Sequence, residues 1–343
     1  MIISNSIFEA CCTTENLFQA WFDFRRGKMK RPDVLEFNHN FEARIFSLQR
    51  KLKSGRYRHG RYRRLCINDP KPRTIRCASV IDRVVHQAIS KTLEDIFDNR
   101  FIYHAYSGRK GKGIHAGVLA VETMVRRVGK NYRKRCFYLK ADISKFYDSV
   151  DHRILITELS RYVPEVRMQA LLKEVVTSFS IPGKTGTGLP IGNVTSQLFT
   201  NVYLNRFDHW IKESLRIKHY ARFCDDFVVV ADSQRYLEDI RERIREFLSA
   251  IKLSLHPHKV AISPLHHGLD FLGYVLLPHH LRVRSKTVRR MFRVLEERAG
   301  ASGGDAKAAE IFVSSLQSYL GHISHANSYK LLILLKNRFC RVL

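Results

Sequence analysis

Acidic side chains are in short supply in this sequence: 32 Asp and Glu stand against 59 Lys and Arg over 343 residues, a formal net charge of +27. A balance that basic argues for a polyanionic partner, because phosphate neutralisation and counterion release supply most nucleic-acid affinity. A merely soluble cationic surface is the bland alternative. Cysteine is sparse too, at 11, 12, 66, 77, 136, 224 and 340, with no Cys-x-x-Cys pair and an odd total. This argues against a zinc site and a disulfide framework, and for a reducing cytoplasm. There is no charged leader followed by an apolar stretch, and no apolar run reaches the roughly 18 residues of a membrane span. A soluble, cytoplasmic protein is therefore expected. No internal repeat or long low-complexity segment is visible. What is present is 45% hydrophobic residues, enough to bury the core of one multi-lobed molecule or two ordinary domains.

Residues 1 to about 60 mix aromatics with bases (Trp21, Phe22, Phe24, Arg25, Arg26, Lys28, Lys30, Arg31) and then read as a helix from Phe41 to Leu52. A second helix is expected from Val80 to Phe97, where Ile81, Val84, Val85, Ala88, Ile89, Leu93, Ile96 and Phe97 recur at three-to-four spacing. Phe137 to Asp142 reads as a strand, as do Tyr220 to Cys224 and Phe227 to Ala231, the last two forming a candidate hairpin through Asp225-Asp226. Tyr236 to Ile251 is an amphipathic helix. Strand, helix, hairpin and helix together give an α+β class. After Leu281 come a basic helix (Arg282, Arg284, Lys286, Arg289, Arg290, Arg293), a small-residue break at Ala299 to Gly304, and a final apolar helical segment.

Carboxylates carry the strongest chemical signal. Asp142 ends an otherwise mostly apolar or aromatic strand, where a carboxylate is unfavourable unless something compensates it. Asp225 and Asp226 are adjacent like charges that repel unless a cation lies between them. Three such groups on neighbouring strands suit two Mg²⁺ about 4 Å apart, activating a 3′-hydroxyl and stabilising a leaving pyrophosphate. On its own, Asp225-Asp226 reads first as a solvated turn, because Asp is common in turns. Sixteen histidines, including His256 with His258, His266-His267 and His279-His280, lack a ligand-spacing pattern and read as solvent- or RNA-facing.

The company of the aspartates decides between these readings. Tyr138 to His152 resembles motif A of reverse transcriptases, and Phe223-Cys-Asp225-Asp226 resembles their YxDD box. Gly188 to Gln197 stands in the place of motif B, Leu253 to Lys259 resembles motif D, and Phe271-Leu-Gly-Tyr274 resembles motif E. Pro70 to Arg76 and Tyr106 to Gly113 resemble the two fingers motifs. The resemblance implies a right-hand polymerase with fingers, a palm of antiparallel sheet and helices, and a short helical thumb. The expected boundaries are 1–60 for a basic, aromatic N-terminal lobe, 61–135 for fingers, 136–280 for palm with a fingers/palm segment around 150–200, and 281–343 for thumb. It further implies Asp142, Asp225 and Asp226 as catalytic, with Ile143 beside them in the metal-holding set for two Mg²⁺, which Mn²⁺ is able to replace. Arg76, then Lys71, would grip the nucleotide triphosphate. Tyr147 would lie beneath the sugar and reject a 2′-hydroxyl, and Ile191, Gly192 and Gln197 would line the nucleotide. Lys259 would be general acid to the pyrophosphate, an ordinary surface lysine being the alternative. Arg109, Lys112, Arg284, Lys286, Arg289 and Arg290 are the expected template and RNA contacts.

Motif B departs from the PQGxxxSP form usual in group II intron enzymes, with Ile191 in place of Gln and Gln197 in place of Pro. The result resembles the polymerases of diversity-generating retroelements, bacterial and phage systems that copy a template-repeat RNA with errors at adenines. That implies template RNA, a cDNA or DNA primer, deoxynucleotides and a small basic accessory protein as partners, and no membrane. Too few residues follow Arg282 for a thumb plus an RNase H or endonuclease domain. Phe223 in place of the usual Tyr keeps the ring, so reduced but real activity is expected. A retron, antiphage-defence or group II intron enzyme is the alternative, and a non-catalytic RNA-binding scaffold is a weaker one.

Overall fold

Caps and apolar spacing account for the helices in the computed structural model, which describes residues 6–68, 72–301 and 305–339. Two compact units interleave along the chain: Met1–Lys110, Asp142–Ile217 and Arg243–His258 form one, while Gly111–Ala141, Lys218–Glu242 and Lys259–Leu343 form the other. Both helices and sheets are present, as an α+β class requires.

The first unit begins with four helices, α1 (Ile7–Cys11), α2 (Thr14–Arg25), α3 (Pro32–His39) and α4 (Phe41–Lys53). An antiparallel ribbon follows, β1 (Arg63–Ile67) with β2 (Arg73–Cys77). The next helix, α5 (Val80–Asp98), starts where expected because Ser79 caps it: the Ser79 hydroxyl accepts the amide of Asp82 and donates to its carboxylate. It buries Val84, Val85, Ala88, Ile89, Leu93 and Phe97 and packs against α2. At about 1.5–3 kcal/mol for each large side chain, this burial stabilises the helix far more than its intrinsic propensity does.

The second unit opens with α6 (Ile114–Val128) and holds β3 (Phe137–Asp142), whose last residue opens the next stretch of the first unit. That stretch contains α7 (Phe146–Ser149), α8 (His152–Ser160), α9 (Val166–Thr177) and α10 (Val194–His209), and α10 packs on both α5 and α8. Back in the second unit, β4 (Tyr220–Phe223) and β5 (Asp226–Ala231) make the expected hairpin. With β3 and β6 (Ala261–Pro264) they form a sheet in the order β4-β5-β3-β6, and α6 covers β4 and β5. The intervening helix, α11 (Gln234–Ala250), begins in the second unit and ends in the first.

A three-stranded meander follows, β7 (Leu269–Phe271), β8 (Tyr274–Leu277) and β9 (His280–Val283). Then come α12 (Ser285–Ala301), α13 (Ala306–Ser324) and α14 (Tyr329–Phe339). The basic helix expected after Leu281 thus starts later. Arg282 belongs to β9 and Arg284 precedes the helix, because Tyr274 to Leu277 offer a partner strand for residues 280–283. Among the described residues no helix is long and apolar enough to cross a membrane.

Candidate active site

The stretch Gly188 to Gln197 is tied down by its main chain. The amides of Gly188 and Leu189 donate to the carbonyls of Val150 (2.8 Å) and Tyr147 (2.7 Å). Arg76 on β2 grips it from the other side: its amide donates to the Ile191 carbonyl at 2.9 Å, and its carbonyl accepts the Asn193 amide nitrogen at 3.0 Å. Between these anchors Gly192 adopts φ +109, and a Cβ there would lie 2.5 Å from Cγ2 of Ile75. Only glycine allows this approach. Arg76, Tyr147, Ile191 and Gly192 are therefore held together. Gln197, exposed on the second turn of α10, faces the close-approaching Gly108, where a Cβ would be 3.4 Å away.

A cleft of about 420 Å³ opens beside β2, lined by Arg61, Tyr62, Arg64, Arg76 and Phe179 among others. Arg64 and Arg76 are direct partners across the β1–β2 ribbon. Like charges placed opposite each other on a ladder repel, so an anion between them would relieve both. The Arg76 guanidinium also lies 5.5 Å over the Phe179 ring. Arg61 and Arg64 are additions to the expected set, and the run Arg61-Tyr-Arg-Arg64 was the available signal. Lys71 lies outside the described residues.

Asp142 closes β3, half-buried, and its carbonyl accepts the amide of His256 at 2.7 Å. Ser144 donates to Ser254 in the same ladder, and Ile143 forms the antiparallel bridge with Leu255 between these two bonds. Antiparallel alternation then turns the main-chain groups of Ile143 to the opposite edge. Asp225 and Asp226 sit where β4 turns into β5, with Phe223 and Asp226 as the last ladder pair. Cys224 takes φ +57 in this turn, a left-handed conformation that costs a non-glycine residue roughly 1–2 kcal/mol. Arg222, 0% exposed, donates from Nη1 to the Cys224 carbonyl at 2.9 Å and so braces the residue before Asp225.

Among the described residues no three His, Cys, Asp or Glu side chains are gathered as a ready-made metal cage. Carboxylates are nonetheless the donors Mg²⁺ takes, and Mg²⁺ ordinarily binds through one or two of them with waters and substrate phosphates. Asp142, at the end of β3, and Asp225 and Asp226, at the β4–β5 turn, are donors of this kind.

The remaining expected residues divide. Lys259, Lys286 and Arg289 are exposed, while Lys112 and Arg290 are half-buried. Arg284 pairs with Asp270, its Nε donating at 2.7 Å. The Arg109 side chain is 7% exposed, and its guanidinium donates to both carboxylate oxygens of Asp98 and to the carbonyls of Asp98, Ile102 and Ala105, so it organises its own loop. The histidines need correction, since His86 and His152 are buried. His152 hydrogen-bonds the Gly188 carbonyl at 2.8 Å.

Residues 67–276 match a family model described as reverse transcriptase (RNA-dependent DNA polymerase). Protein YkfC of Escherichia coli (strain K12) is 26% identical over 291 residues, covering 74% of this chain and 75% of YkfC. The putative COX1/OXI3 intron 1 protein of Saccharomyces cerevisiae is 24% identical over 313 residues, covering 71% of this chain. Group II intron-encoded protein LtrA of Lactococcus lactis subsp. cremoris is 22% identical over 324 residues, covering 74% of this chain. The chain spans 36% of the yeast protein's length and 52% of LtrA's.

Proposed function

The chain belongs to the reverse transcriptase (RNA-dependent DNA polymerase) family, and from that premise we propose that it copies a template-repeat RNA into cDNA with errors at adenines, as the polymerase of a diversity-generating retroelement. The observation that carries this reading is the stretch Ile191 to Gln197, with Ile and Gln where Gln and Pro are usual. Its attachment to Arg76 and its neighbour Leu189's bond to Tyr147 support a role at the nascent base pair. In this reading residues 61–135 act as fingers, 136–280 as palm and 281–343 as thumb.

The incoming triphosphate would lie against Arg76, with Arg61 and Arg64 as further counter-charges and the undescribed Lys71 nearby in sequence. Tyr147 would face the sugar and exclude a 2′-hydroxyl. Asp142, Asp225, Asp226 and the Ile143 main chain would hold two Mg²⁺, which when bound supply activation of the primer 3′-hydroxyl and stabilisation of the leaving pyrophosphate. Lys259 would hold a proton for that leaving group. Lys112, Lys286, Arg289 and Arg290 would meet template phosphates, and a small basic accessory protein would complete the complex.

A second reading, an intron-type enzyme, is favoured by the names of LtrA and the yeast intron protein. Sequencing cDNA made by the purified protein on its flanking non-coding RNA separates the two. Substitutions concentrated at template adenines support the diversifying system. Accurate cDNA with errors spread over all four bases sinks it and favours the intron-type reading.

A further inference from the structure

Two histidines that no motif accounts for form a hydrogen-bonded chain ending on the first turn of α10. His59 Nδ1 lies 2.7 Å from the Gly60 carbonyl, and its Nε2 lies 2.9 Å from Nε2 of His86. His86 Nδ1 is 2.5 Å from Oγ1 of Thr195. His86 and Thr195 are each 1% exposed, and the His59 side chain is fully covered. Thr195 stands between Asn193, which holds the Arg76 carbonyl, and Ser196, whose hydroxyl donates to the Pro190 carbonyl at 2.7 Å.

A carbonyl only accepts, so His59 Nδ1 carries a hydrogen. Burial pulls the His86 imidazole down to about 3, so that ring is neutral, with one donor and one acceptor nitrogen shared between His59 Nε2 and the Thr195 hydroxyl. Tyr62, whose hydroxyl is 3.2 Å from His59 Nε2, and Glu174, which accepts the His59 amide at 2.8 Å, fix the outer end. Buried polar groups of this kind are costly unless fully satisfied, and when satisfied they specify one arrangement of the surrounding elements.

We propose that His86 is a positioning residue for nucleotide addition: by holding the Thr195 hydroxyl it sets the first turn of α10, and with it the seating of Ile191 to Gln197 against the incoming nucleotide. This rests on the polymerase reading of residues 188–197. The chain runs from α5 to α10 through side chains alone, so it can be cut without touching a residue assigned to substrate or metal.

Thr195→Val keeps the side-chain shape and deletes the hydroxyl, whereas Thr195→Ser keeps it. His86→Leu deletes both ring contacts, whereas His86→Gln offers one donor and one acceptor. Single-nucleotide extension on a defined RNA template gives kcat and KM for the correct deoxynucleotide, and thermal unfolding is followed on the same preparations. Thr195→Val and His86→Leu are each expected to raise KM about tenfold, the scale of one lost buried hydrogen bond, with kcat changed much less. The double variant should be no worse than the poorer single, and Thr195→Ser and His86→Gln should recover most of the loss. Variants that lose only melting temperature or active fraction, with KM unmoved, make the chain a packing feature and overturn the proposal, as do additive effects in the double variant. Thr195→Val alone decides the matter if His86→Leu fails to fold. A wild-type protein that extends no primer overturns the polymerase reading and this proposal with it, whereas an active wild type with unmoved KM removes only the role of His86.

Discussion

Asp225 hangs on a turn whose preceding residue, Cys224, is strained and is braced by a buried arginine, a combination that fixes where one carboxylate points. Asp225→Asn keeps the shape of that side chain and removes its charge. Primer extension in Mg²⁺ should fall more than about a hundredfold, while RNA binding measured on filters stays within about twofold, because the basic surface is untouched. Extension within tenfold of wild type would take Asp225 out of the proposed metal site. At this scale the place of Asp142 at the end of an apolar strand was legible, because the apolar run before it is local. The burial of Arg109 was not legible, since nothing local to Tyr106–Gly113 says that Asp98 will be folded against the guanidinium. His86 was hidden for the same reason: its partners are 27 and 109 positions away.

Elements set by periodicity came through almost unchanged, α5 and β3 among them, because a core face repeats at short range. The β1–β2 ribbon and the β7–β9 meander were not anticipated, since strands of three to five residues depend on a partner to fix them. The contact of residues 188–197 with β2 belongs to this scale. Gly192→Ala should destabilise the protein by about 1–3 kcal/mol, through the clash with Ile75 and the left-handed backbone together, and should raise KM for deoxynucleotides. Adding Ile75→Ala removes the clashing methyl and should return part of both losses. Thermal unfolding and steady-state extension check this, and a double variant no better than Gly192→Ala would mean that the backbone strain alone matters.

Across the whole molecule the surplus of 27 positive charges should govern RNA affinity. If about five phosphates are neutralised, affinity for single-stranded RNA falls about a hundredfold between about 50 and 200 mM salt. A titration with a slope near zero would mean that the charge serves solubility instead. The interleaving of the two units has another consequence, for synthesis on the ribosome. Tyr203 donates to the Ile251 carbonyl, Lys252 pairs with Asp151, and Ser144 bonds Ser254, so the first unit cannot close until its third stretch has been translated. A nascent chain that has emerged only as far as Ile217 carries most of that unit's residues without these partners. Translation must pass His258 before all of these contacts can form, and any pause between the two points prolongs the time in which the surfaces they cover stay open.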